Sequence, residues 1–83
     1  MTAIYETPLP DVDPEREEIR RAIEKAEAHG PFADRNHVFG VIAEEMAEVL
    51  DEIRGDGVGF EAELYDLVGA ALKAIRQVRR GAL

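Results

Sequence analysis

The chain is predicted to be all-α: an N-terminal helix followed by an antiparallel helical hairpin, forming a bundle that oligomerisation completes. Three observations predict this class. Apolar residues recur at helical spacing in three runs, and no segment alternates apolar and polar residues as a strand would. Glycine and proline clusters fall between the runs, at Gly30-Pro31 and at Gly55-Asp56-Gly57-Val58-Gly59.

Residues 1–12 carry Pro8 and Pro10 and no sustained period, which predicts an extended arm whose Ile4, Tyr5 and Leu9 are available to a neighbour. The helical domain then spans 13–83. Asp13-Pro14 marks the start of the first helix, with a capping carboxyl, proline at the first helical position, and Glu15, Glu17 and Glu18 facing the dipole. Ile19, Ala22, Ile23 and Ala26 form its apolar face, and it runs to His29 before Gly30-Pro31 stops it. Asp34 or Asn36 caps the second helix, which continues to Arg54 with Val38, Ile42, Met46, Val49 and Ile53 as its apolar arc. The third carries a stripe of Phe60, Leu64, Leu67, Val68, Ala71, Ala74, Ile75 and Val78 and ends at Gly81. A short glycine loop between two long helices makes them antiparallel neighbours. Gly40 and Gly69 lie inside helices, where each costs about 1 kcal/mol relative to alanine, so close helix packing is expected at both.

Eighty-three residues without an internal repeat make one domain, of a size that buries only about 60% of its unfolded surface, so self-association as a dimer or a dimer of dimers is expected. Hydrophobic content of 46% and charge of 34% are those of a globular chain. No apolar run approaches the ~18 residues that span a bilayer, and the start has neither a basic nor an apolar segment. With no cysteine, a cytoplasmic setting and no membrane partner are expected. Ten basic against eighteen acidic residues give a net charge of −8, which opposes binding to a nucleic-acid polymer and leaves a metal-chelated small polyphosphate open.

Two acidic clusters carry the chemistry: Glu44-Glu45-Met46-Ala47-Glu48 and, after fourteen intervening residues, Glu63-Leu64-Tyr65-Asp66. Each sets carboxylates three apart, on one face of a helix, where like charges repel by a few tenths of a kcal/mol per pair. At about 1.5 Å per residue, Glu48 and Glu45 lie about 9 and 13 Å before Arg54, and Glu63 and Asp66 about 5–9 Å beyond Phe60. In an antiparallel hairpin these heights coincide. Four carboxylates converging from two helices are hard oxygen ligands suited to Mg²⁺ or Mn²⁺, with water and substrate phosphate completing the shell. A single such pair is usually a solvated face. Glu45 argues otherwise, because it borders the apolar arc with no basic residue three or four positions away on its own helix.

The pattern Glu-Glu-x-x-Glu, a short spacer, then Glu-x-x-Asp on two antiparallel helices resembles the MazG-like, all-α nucleoside triphosphate pyrophosphohydrolases over roughly residues 29 to 80. The stretch from His29 to Glu45 also looks like the entry to the catalytic helix in short phage and bacterial members. The resemblance implies that Glu45, Glu48, Glu63 and Asp66 bind Mg²⁺ or Mn²⁺, with two or more ions when substrate is present. It makes Glu44 the adjoining acid that orients or deprotonates water, beside Glu45 and Glu48 as the catalytic acids. It implies cleavage of a (deoxy)nucleoside triphosphate, with a lean to deoxynucleotides, between the α- and β-phosphates to the monophosphate and pyrophosphate. A bacterial or phage-infected cytoplasm is the implied setting. The chain lacks tryptophan, so an aromatic clamp on the base falls to Phe32, Phe39, Tyr65 or another subunit.

His37 projects on the side of Val41, Glu44 and Glu48 and is expected to face the nucleotide, with Phe32 and Val41 beside it. Lys73, two turns beyond Asp66, is a candidate for the departing pyrophosphate. His29 and the Arg76, Arg79 and Arg80 group read as cations at helix ends. A calcium loop ending at Glu63 fails because Arg54 would occupy its third position. A di-iron bundle fails because no histidine follows these acids by three. The competing class is a non-catalytic helical oligomerisation or adaptor domain with a solvated acidic face.

Overall fold

A computed structural model describes residues 9–83, with side chains from residue 15 onward. It is all-helical: α1 (Leu9–Glu27), α2 (Arg35–Arg54) and α3 (Phe60–Arg79), with no strand among the described residues. None of these helices is long and apolar enough to cross a membrane.

Helix α1 begins at Leu9, four residues before the Asp13-Pro14 start read from the sequence, so 9–12 of the expected arm are helical. Pro10 falls in the first turn, where an N–H has no intrahelical acceptor in any case, and Pro14 forgoes one bond. Ile4 and Tyr5 lie outside the described residues. The helix stops at Glu27, and His29 sits in the following turn, closed by Gly30 at φ 84°. Of the two candidate caps for α2, Asp34 is the one used: its carboxylate accepts the His37 N–H at 2.8 Å. The glycine loop is tied down by Glu52, whose carboxylate accepts the Gly59 N–H at 2.9 Å and so steadies the start of α3.

Helix α3 is the centre of the molecule. It packs on α1 and on α2, whereas α1 and α2 scarcely touch each other. Gly69 sets the approach of α1, since a Cβ there would stand 2.4 Å from the Ala22 carbonyl oxygen. The expected close approach at Gly40 is not found: nothing lies within 4 Å of a Cβ built there.

The buried face differs from the apolar one. On α3 the buried residues are Gly69, Ala70, Lys73 and Gln77, and α2 has none. With Ala22, Ile23 and Phe32, Ala70 completes the buried apolar set among the described residues. Met46 and Ile53, read from the sequence as part of the apolar arc, are exposed and align with Phe39 and Leu50 within roughly 60° of the helical wheel. Phe60, Leu64, Val68, Ile75 and Val78 form a matching exposed stripe on α3. The reason is geometric: α1 covers the flank of the hairpin that carries the acids and Lys73, and among the described residues no element covers the other.

Candidate functional site

The covered flank encloses a cavity of about 460 Å³, within the range of small-ligand sites. Its walls come from all three helices and the α1–α2 turn, and they include Glu44, Glu45, Glu48, Asp66, His37, Val41, Phe32 and Lys73. Thus these eight residues, all named from the sequence, border one space. Glu63 does not line it.

Glu45 and Glu48 from α2 and Glu63 from α3 bring one carboxylate oxygen each within 4.8 Å of one another. Their heights along the antiparallel pair coincide because the loop from Gly55 to Gly59 is short. Oε2 of Glu45 and Oε2 of Glu63 are buried with no hydrogen-bond partner. Burial, then the charges of Glu48 and Asp66, push the Glu45 carboxyl up from its ordinary range. A hydrogen bond with Glu48 is the largest cause at Glu63, followed by desolvation and the charges of Glu48, Asp66 and Glu45, and its carboxyl is pushed up to about 7. Three crowded carboxylates, two with an orphaned oxygen, form an all-oxygen donor set that fits Mg²⁺ or Mn²⁺.

Asp66 is placed differently from its neighbours. Its two oxygens accept from Lys25 Nζ of α1 at 3.1 and 3.0 Å, so a lysine ammonium already balances the fourth acid. Glu44 is exposed at the cavity edge, next to the cluster along the helix.

The opposite end of the cavity is built around Phe32. Its N–H donates to Gln77 Oε1 at 2.8 Å, and Gln77 Nε2 donates to its carbonyl at 3.1 Å, so one side chain fixes the backbone of the α1–α2 turn. Lys73 Nζ lies 4.1 Å above the Phe32 ring and donates to the Ala26 carbonyl at 3.0 Å. Burial holds its ammonium below the ordinary lysine value. Lys73 is only 6% exposed. Phe32 is 4% exposed, with Lys73 on one face and the His37 ring edge-on at 5.3 Å, so it forms a wall. Phe39 and Tyr65 do not line the cavity. His37 Nδ1 accepts the Ala33 N–H at 3.0 Å, which leaves Nε2 as the protonated nitrogen of the neutral ring.

Comparison with known protein families, with curated proteins and with solved structures finds no match for this chain. The functional reading therefore rests on its own residues.

Sequence reasoning missed Lys25, His29 and Gln77 as parts of the site. The chain has two lysines among ten basic residues, and both border this cavity, whereas none of the arginines does. Gln77 was legible only as a polar residue on the Ala70–Lys73 side of α3.

Proposed function

We propose that this chain is a Mg²⁺- or Mn²⁺-dependent nucleoside triphosphate pyrophosphohydrolase, acting on a (deoxy)nucleoside triphosphate. The observation that carries the reading is the meeting of Glu45, Glu48 and Glu63 across two helices, with one carboxylate oxygen of Glu45 and one of Glu63 left unpartnered, beside a cavity that Glu45 and Glu48 line. Repelling acids held together in this way are stabilised by a cation.

Glu45, Glu48 and Glu63 would hold the ion, with Asp66, now paired with Lys25, as the fourth carboxylate of the set. A divalent ion bound there would supply positive charge to the phosphate oxygens and lower the pKa of a water held beside the α-phosphorus. Glu44 receives the water proton while the new P–O bond forms and the α–β phosphoanhydride bond breaks, releasing monophosphate and pyrophosphate. Lys73 and His37 Nε2 present N–H groups at the far end of the cavity, where they suit an anionic or carbonyl-bearing part of the substrate.

The active form is a self-associated one. Nine large apolar side chains on the uncovered flank of α2 and α3 are 37–74% exposed. Together they leave on the order of 700 Å² of apolar surface, estimated from side chains of about 150–250 Å² for the aromatics and less for the aliphatics. A typical monomer shows a largest patch of about 300–600 Å², and a standard interface takes about 800 Å² from each partner. A second copy, presenting the same flank about a two-fold axis, covers it.

The deciding assay is phosphate release, with added pyrophosphatase, across canonical and damaged nucleotides in Mg²⁺ or Mn²⁺. Turnover is expected for at least one nucleotide and is abolished in Glu48→Ala and Asp66→Ala with helicity retained. Absence of turnover with every nucleotide and both metals leaves the adaptor reading in its place.

A further inference from the structure

We infer that Lys25 is a displaceable counter-ion of the acidic cluster: its ammonium holds Asp66 until a divalent cation takes its place, and then faces the anionic substrate across the same cavity. This rests on the metal-site reading above and assigns a role to a residue outside that ligand set.

The two partners are built unequally. The Lys25 side chain is 67% exposed and Asp66 only 20%, so the carboxylate is fixed and the lysine is free to leave. The bond joins α1 to α3 across forty-one residues, and its geometry depends on the close crossing at Gly69, one turn beyond Asp66. On α1, Ala22 packs against Gly69, and Lys25 follows one turn later at the height of the acids. Glu45 and Glu63 add to the field that Asp66 exerts on the ammonium. A monovalent charge on a flexible stem is weaker than a divalent ion held by several oxygens, and the two cannot share the same Asp66 lone pairs.

Release has a destination. The ammonium borders the same cavity as Lys73 and His37, so a substrate phosphate entering between them meets a second lysine in place of the carboxylate it has left. The arrangement also limits the cost of the empty site, where Asp66 would otherwise add a fourth uncompensated charge.

The test is a titration of Mn²⁺ alone into the full chain, read by paramagnetic resonance or calorimetry, for wild type, Lys25→Met and Lys25→Arg. A second titration uses a triphosphate with a non-hydrolysable α–β methylene bridge in saturating Mn²⁺. Lys25→Met is expected to bind Mn²⁺ about three- to tenfold more tightly and the analogue at least threefold more weakly, with Lys25→Arg close to wild type in both. A merely structural role for Lys25 would loosen Mn²⁺ binding. Unchanged or weaker Mn²⁺ affinity in Lys25→Met overturns the proposal, and unchanged analogue affinity overturns its second step. If wild type takes up no Mn²⁺, the metal site itself falls, a result separate from either.

Discussion

Gln77 holds Phe32 by both of its backbone polar groups, and through Phe32 it fixes the position of His37 and Lys73. Replacing it with alanine leaves a buried N–H and a buried carbonyl unpaired, each worth about 1–3 kcal/mol when orphaned. Gln77→Ala is therefore expected to lose about 2–4 kcal/mol in urea denaturation. At the other end of the cavity, the Glu63 carboxyl keeps its proton up to about 7 in the folded chain, above its ordinary value of 4.5. A raised carboxyl favours the folded state at low pH, and that contribution is lost as pH rises through the folded value. Compared with Glu63→Gln, wild type without divalent ion should thus lose melting temperature between pH 5 and pH 8. Mg²⁺ should restore more of it at pH 8. Equal pH profiles for the two proteins would show that this carboxyl is not under strain.

The helices divide their work unequally, and two glycines separate the causes. Gly69→Ala gains about 1 kcal/mol of helix propensity but drives a methyl group to 2.4 Å from the Ala22 carbonyl, so α1 must retreat. A net loss of about 1–3 kcal/mol is expected, together with weakening of the Lys25–Asp66 bond. Gly40→Ala meets nothing within 4 Å and should stabilise by up to about 1 kcal/mol. Thermal melts of the two variants give opposite signs. The heights of Glu45, Glu48 and Glu63 were legible in the sequence because rise per residue and a short loop determine them without reference to a third helix. The Lys25–Asp66 bond was not. It depends on where α1 docks, and the apolar pattern marks a face of α3 without saying which flank another element will cover. The start of α1 was misread for a local reason: Asp13-Pro14 is a good helix beginning, but Pro10 is equally tolerated in a first turn.

At the scale of the whole bundle, α1 covers the acidic flank, and no element among the described residues covers the apolar one. Self-association through that flank predicts that Met46→Lys combined with Ile53→Lys yields a smaller species in sedimentation velocity while wild type remains associated at micromolar concentration. Wild type that sediments as a monomer would rule out the second copy as the cover. A net charge of −8 opposes association at long range, so added salt should strengthen it.

The chain's pair of lysines offers a chemical handle on these arrangements. Apart from an α-amino group, every primary amine borders the same hollow, with Lys25 open to reagents and Lys73 shut beneath the turn. Acylation followed by mass mapping would consequently footprint that hollow alone: early labelling at one position records its occupancy, and late labelling at the other records how often the turn lifts.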